Sequence, residues 1–254
     1  MPTKSLPRGF QLIALDSVVS TNDEAKKLAE RDVEDVTIVQ AKVQTGGKGR
    51  RGRVWESGEG NLFFSFVLRP QCAPMAAPQL GFAASLAVAE AIEEVLPDNA
   101  EVTCKWPNDV RINGGKVAGI LLEAGPVTED LMDWLVIGMG INVASRPEDM
   151  PYPVTSVSAE GGKSVTPDKL LAAICHRFAY WRVLRRGEGF APVRKAWMAR
   201  AAGLGGPIRV ELPNQTLTGT FEDLDGQGAL LLLQENGKHT KITAGDVFLP
   251  GAGL

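Results

Sequence analysis

The hydrophobic pattern changes period several times along the chain, and each change marks an element. Asn61 to Arg69 is an almost continuous apolar run, which predicts a strand buried on both faces. Val36 to Gln44 is rich in β-branched residues and predicts a second strand, which ends at a glycine cluster. From Gln79 to Leu96 the apolar residues Leu80, Ala83, Ala84, Ala87, Ala91 and Val95 recur at helical spacing and predict a helix. Thr21-Asn22-Asp23-Glu24 has the spacing of a capping box, with Thr21 as the N-cap of a helix reaching about Glu30.

Shorter strands are expected over Val102–Lys105, Val110–Ile112, Lys116–Glu123 and Trp134–Asn142, the second and third joined by the hairpin signal Asn113-Gly114-Gly115. Helices are expected over Asp168–Leu184 and Phe190–Ala201. After Gly203-Leu204-Gly205-Gly206-Pro207 the pattern becomes short β segments, Ile208–Leu212, Thr216–Glu222, Ala229–Gln234 and Lys238–Ile242, separated by turn dipeptides. That spacing suggests a small barrel. Hairpins and helices are mixed without strict strand–helix alternation, so the fold class is α+β and not doubly wound.

Composition narrows the picture. A chain of 254 residues with 44% hydrophobic and 22% charged residues suits a globular protein. The net charge of -3 counts against coating nucleic acid. Cys72, Cys104 and Cys175 form no close pair and read as free thiols in a reducing compartment. With two histidines, no structural zinc site is expected and no metal ligands are assigned. The N-terminus has no apolar signal segment, and no apolar run approaches 18 residues, so no membrane span is expected and the cytoplasm is the default.

Two stretches carry the chemistry. Gly46-Gly47-Lys48-Gly49-Arg50-Arg51-Gly52-Arg53-Val54-Trp55 combines glycines, which bring backbone N–H groups close to a ligand, with four cations that can grip an anion. The cations repel one another, so the loop is expected to be mobile when empty and to order over an anion, with Trp55 stacking on an adenine. A solvated basic turn or a nucleic-acid patch would look the same in isolation. Lys105-Trp106-Pro107-Asn108-Asp109 is followed, across the hairpin, by Lys116 and Gly119. The return of the hairpin places Lys116 near Asp109, and Gly119 lets a ligand lie against the strand. Alone, that pair reads equally as a salt bridge.

Together the two stretches fit the activation of a carboxylate by ATP. The step brings two anions together, a repulsion of about 4 kcal/mol per charge pair at 4 Å and an effective dielectric of about 20. A lysine at the carboxylate, arginines on the phosphates and Mg²⁺ offset it. The mixed anhydride needs shelter from water, which a closing loop provides.

These residues resemble the biotin protein ligases. The matched stretches are Ser20-Thr21-Asn22, Gln44 through Trp55, Lys105 through Glu123, and Gly138-Met139-Gly140-Ile141-Asn142, followed by a β-rich tail. The resemblance implies a mixed-sheet catalytic domain of the biotin/lipoate ligase type over residues 1–204 and a small SH3-like barrel over 205–254. It implies that biotin and ATP give biotinyl-5′-AMP, and that a lysine of a carboxylase biotin carboxyl carrier domain then takes the biotinyl group. By motif, Ser20, Thr21, Asn22 and Gln44 would bind the biotin head group. Lys48, Gly49 and Arg50 would form the adenylate loop and, with Gly119, also contact the biotin. Lys116 would contact the biotin carboxylate and the α-phosphate. Gly47, Arg51, Arg53, Trp55, Asn108 and Asn142 would surround the nucleotide, and Asp109 would assist the acceptor lysine. Catalysis would rest on Lys116, Asp109 and Arg50. Lys48 stands where many members carry arginine, a modest departure that keeps the charge but loses a two-pronged grip. Few residues precede Leu12, so the DNA-binding domain of repressor-type members is not expected, nor is a membrane partner, while a homodimer is left open. The cation-free tail Pro250-Gly251-Ala252-Gly253-Leu254 leaves a nucleotide contact from the barrel open. A lipoate or octanoate ligase and a non-catalytic biotin-binding regulator remain the alternatives, with the arginine-rich loop and Trp106 favouring biotin.

Overall fold

The computed structural model describes residues 5–31, 33–56, 58–162 and 165–250. In chain order the elements are β1 (Gln11–Val18), α1 (Thr21–Ala29), β2 (Thr37–Gln44), β3 (Leu62–Leu68), α2 (Ala77–Glu93), β4 (Val102–Lys105), β5 (Asp109–Ile112) and β6 (Gly115–Ala124). Then come β7 (Val127–Thr128), β8 (Leu131–Met132), β9 (Leu135–Ile141), α3 (Pro167–Glu188), α4 (Ala191–Met198), β10 (Pro207–Leu212), β11 (Gln215–Leu224), β12 (Leu230–Leu233), β13 (His239–Ile242) and β14 (Asp246–Phe248).

Seven strands form one mixed sheet in the order β1-β2-β3-β9-β6-β5-β4, in which β1 and β2 are parallel and the other neighbours antiparallel. The central strands explain their own composition. All seven residues of β3 are buried, because its two faces are both covered. Phe64 and Phe66 pack with α2 and α3 on one side, whereas Val67 packs with Ala25 and Ala29 of α1 on the other. The Phe66 ring stacks on Phe178 of α3 at 4.6 Å between centroids. Alternation along β9 divides the same way, Ile137 toward α2 and Val136 toward α1.

The helix α2 is apolar nearly all round, and most of its residues are buried. Contrary to the sequence expectation, the 20-residue helical stretch Pro74–Glu93 is long and apolar enough to cross a membrane by length and composition. Its apolarity is explained by packing against the sheet on one side and α3 and α4 on the others. A second correction concerns α1. Its N-cap is Ser20, not Thr21, and no side chain closes a capping box. Thr21 is drawn away because its N–H and hydroxyl both reach Gln44 Oε1, at 2.8 and 3.1 Å.

The hairpin between β5 and β6 turns through Asn113 and Gly114, with φ of 48° and 83°, the left-handed pair that a two-residue turn requires. Four strands had no clear periodic signal: the edge strand β1, the β7–β8 hairpin pair and β14. The last five strands form an antiparallel sheet in the order β13-β12-β11-β10-β14. Its apolar face, including Phe221, Leu224, Leu230 and Leu232, belongs to the same hydrophobic cluster as α2 and α4. Trp106 ties the two sheets together by donating from Nε1 to Gly228 O at 3.0 Å. Residues 200–202 run along the outer edge of β4, with Cys104 N donating to Arg200 O and Ala202 N to Cys104 O.

Candidate functional site

The middle of the large sheet, on the face that carries α1, is lined by small residues. Ser65 of β3 lies opposite Gly138 of β9, and Gly140 of β9 lies opposite Gly119 of β6. A methyl group at Gly138 would come within 2.0 Å of Asn22 Oδ1, and one at Gly140 within 2.4 Å of the Trp55 ring. At Gly119 the Trp55 ring would be 2.8 Å away. These glycines therefore form a floor on which larger groups rest. A cavity stands above it, walled by the start of α1, the glycine-rich loop, the β4–β5 turn and the β14 edge of the second sheet.

At one end the cavity is polar and neutral. The turn between β1 and α1 presents Ser20, Thr21 and Asn22, all buried, beside Gln44 at the end of β2. Ser65 Oγ lies 2.8 Å from Thr21 Oγ1 and donates to Asn22 Oδ1 at 2.6 Å. Asn22 Nδ2 donates to Glu123 Oε2 at 2.7 Å, and Lys26 pairs with the other oxygen of that carboxylate at 2.7 Å.

The middle of the cavity is cationic. Asp109 opens β5, and its carboxylate lies 2.7 Å from Lys116 Nζ and 3.7 Å from Lys105 Nζ. Burial pushes the Asp109 carboxyl up, but the two ammonium groups outweigh it and hold it below its ordinary 3.8. Burial depresses Lys105 below its ordinary 10.5, with Asp109 pulling the other way. Lys116 also lies 5.5 Å from the centroid of the Trp55 ring and 5.7 Å from that of Tyr152. Arg50 Nη1 donates to Asn108 Oδ1 at 3.2 Å and to Gly245 O at 3.3 Å, and so joins the β4–β5 turn to the second sheet.

The loop itself is folded. Arg50–Gly52 makes a 3₁₀ turn, Gly49 N donates to Arg53 O at 2.7 Å, and Arg51 sits in the left-handed region at φ 55°. The repulsion expected among its cations is answered by two carboxylates that lie far off in sequence. Asp246 of β14 takes Arg50, Arg51 and Arg53 at 3.5, 3.2 and 3.1 Å. Asp23 of α1 takes Lys48 at 2.7 Å.

Of the residues singled out from the sequence, the cavity gathers Ser20, Thr21, Asn22, Gln44, Lys48, Gly49, Arg50, Arg53, Trp55, Asn108, Asp109, Lys116 and Gly119. Gly47, Arg51 and Asn142 do not line it. Gly47 supports the loop by accepting from Trp55 N at 2.9 Å, and Arg51 is turned to Asp246. Asn142 lies buried behind the wall, donating from Nδ2 to Thr155 O at 3.0 Å. Sequence reasoning left out Ser65, Glu123, Tyr152 and Asp246. For Ser65 a signal existed, since it is the polar residue in the apolar run of β3. Asp246 and Glu123 have no local signal, because their partners lie on other elements.

Comparison with known proteins gives a consistent result. The profile of the biotin/lipoate A/B protein ligase family matches residues 14–142, and that of the biotin protein ligase C-terminal domain matches 203–249. The chain is 42% identical over 240 residues to the biotin–[acetyl-CoA-carboxylase] ligase of Paracoccus denitrificans, covering 91% of this chain and 98% of that protein. It is 36% identical over 248 residues to the bifunctional ligase/repressor BirA of Bacillus subtilis, covering 95% of this chain and 74% of the relative. The biotin protein ligase of Aquifex aeolicus, solved in complex with biotin and ATP, superimposes with a TM-score of 0.79 at 31% identity, over 94% of this chain and 97% of the other.

Proposed function

The chain belongs to the biotin/lipoate A/B protein ligase family, and from that premise we propose that it is an ATP-dependent biotin–protein ligase working in the cavity between its two sheets. The biotin carboxylate attacks the α-phosphorus of ATP, the bond to the β-phosphate breaks, and pyrophosphate leaves. A lysine amine of a carrier protein then attacks the acyl carbon, the bond to the AMP oxygen breaks, and the amine proton passes to a base. The observation that carries the reading is that Arg50 and Lys116, distant in sequence, face one cavity whose far end is neutral and polar.

Each group has a place in this scheme. Thr21, Asn22, Ser20 and Gln44 take the polar ring of biotin, and the Trp55 ring, seated on Gly119 and Gly140, walls its body. Lys116 lies between the carboxylate and the α-phosphate, where it stabilises the charge that builds as the two anions meet. Arg50, Arg53 and Lys48 face the phosphates, with Asn108 beside them; Trp55 closes over the reacting centre. Asp109, a buried carboxylate held ionised by Lys116 and Lys105 at 2.7 and 3.7 Å, is the base for the acceptor amine.

Among the described residues no group of three His, Cys, Asp or Glu side chains could hold a metal ion. Mg²⁺ would enter with the triphosphate and would supply neutralisation of its charge there. The acceptor in this reading is a biotin carboxyl carrier domain, the division falls near residues 204 and 205, and the compartment is the cytoplasm, in keeping with free thiols at Cys72, Cys104 and Cys175. No DNA or membrane partner is assigned, and a homodimer is the assembly to test.

Biotin-dependent exchange of labelled pyrophosphate into ATP is the test. The protein should support it, and Lys116→Ala should abolish most of it. Exchange driven by lipoate or octanoate but not by biotin would overturn the substrate.

A further inference from the structure

Two residues that do not line the cavity stand directly behind its polar end. Glu123 lies on the Gly119 side of β6 and Ser65 on the Gly138 side of β3. Ser65 is fully buried within an otherwise apolar strand, where an unpaired hydroxyl would be costly. Both touch Asn22, one at each end of its amide.

Counting protons fixes the direction of the bonds made by Asn22 and Ser65. A carboxylate has none to give, so Asn22 must turn its amide nitrogen toward Glu123 and its Oδ1 toward Ser65. The single Ser65 proton then goes to Asn22 Oδ1 at 2.6 Å, and toward Thr21 Oγ1, 2.8 Å away, Ser65 can only accept. The Thr21 proton is therefore committed to Ser65 or to Gln44 Oε1, and the lone pairs of Thr21 are left for the cavity. Gln44 is locked in turn, because the Thr21 N–H fixes its Oε1 at 2.8 Å. Lys26 completes the frame by holding Glu123 on its other oxygen.

We propose that Glu123 and Ser65 are positioning residues for the ring end of the ligand, acting through Asn22 and Thr21 to present acceptors to a head group that donates through N–H. The inference rests on the biotin ligase reading and deepens it. The cyclic urea of biotin offers such N–H groups, whereas an unsubstituted fatty acid has no polar head to use them.

Pyrophosphate exchange by the full chain, titrated separately with biotin and with ATP, tests the assignment. Glu123→Leu should raise KM for biotin about tenfold, the effect of one misdirected hydrogen bond, and leave KM for ATP and kcat within about twofold. Glu123→Gln, whose side-chain carbonyl still accepts from Asn22, should recover most of that loss. Ser65→Ala, which removes a single oxygen, should reproduce the Glu123→Leu result and decides the matter alone if Glu123→Leu does not fold. An unchanged KM for biotin in Ser65→Ala, or equal shifts in the biotin and ATP constants, overturns the inference while leaving the function intact. A wild-type protein without biotin-dependent exchange would instead overturn the function, and this assignment with it.

Discussion

Replacing Asp109 by asparagine keeps the shape of the side chain and removes the negative charge that two lysines share. Lys116 Nζ and Lys105 Nζ lie 2.7 and 3.7 Å from its carboxylate, and the carboxylate side chain is only 15% exposed. At an effective dielectric of about 20 these separations correspond to gross attractions of about 6 and about 4.5 kcal/mol. Desolvation of the three groups cancels most of that sum. A net remainder of about 1.4 kcal/mol would still change a rate about tenfold. Asp109→Asn is therefore expected to slow biotin-dependent pyrophosphate exchange by at least about tenfold. The pH profile should move as well. Burial already lowers the Lys105 ammonium, and Asp109 is the group that opposes this most. Without it the amine loses its proton more readily, so the alkaline fall in activity should begin at lower pH. The acid side changes in the other sense. Because the folded Asp109 carboxyl sits below its unfolded 3.8, its stabilising effect is complete above that value and is lost as pH falls through the folded one. The asparagine variant should lack that part of the acid sensitivity. Exchange rates measured across the pH range, with parallel urea titrations, read both limbs. A variant with the wild-type rate and an unmoved alkaline limb would refute the shared-charge argument.

Other variants examine the walls of the cavity. Arg50→Gly removes the link from the loop to Asn108 and Gly245 and should let the adenylate escape, which mass spectrometry would detect as biotin on many bystander lysines. Gly140→Ala would place a methyl group 2.4 Å from the Trp55 ring; moving the ring off its floor should raise KM for biotin about tenfold or more with little change in the melting temperature. Asp246→Asn deprives three arginines of their common carboxylate, each such partly exposed pair being worth up to about 1 kcal/mol, and should speed trypsin cleavage in the loop unless ATP is present.

What the sequence makes legible follows the range of the interactions. The buried strand β3, the hairpin that brings Lys116 to Asp109 and the long helix α2 are local patterns, and the structure has them within a few residues of the expected bounds. The arginine loop is conspicuous for the same reason. Its counter-charges are not, because Asp246 is 193 residues from Arg53 in the chain and only the packing of the second sheet brings it near. The same holds for Glu123, which reaches Asn22 across 101 residues. The Thr21 cap fails for a tertiary reason too, since Gln44 competes for the atoms that a capping box would use. The edge strand β1 pairs only with β2 and leaves most of its side chains partly or fully exposed, so it lacks the alternation that marks a half-buried strand.

The most direct measurement is the exchange of labelled pyrophosphate into ATP by the full chain, with and without biotin. The account predicts exchange that requires biotin and that is largely lost in Lys116→Ala. Exchange that proceeds equally without biotin, or that survives the loss of Lys116, would contradict the claim that the two sheets enclose one site for joining a carboxylate to a nucleotide.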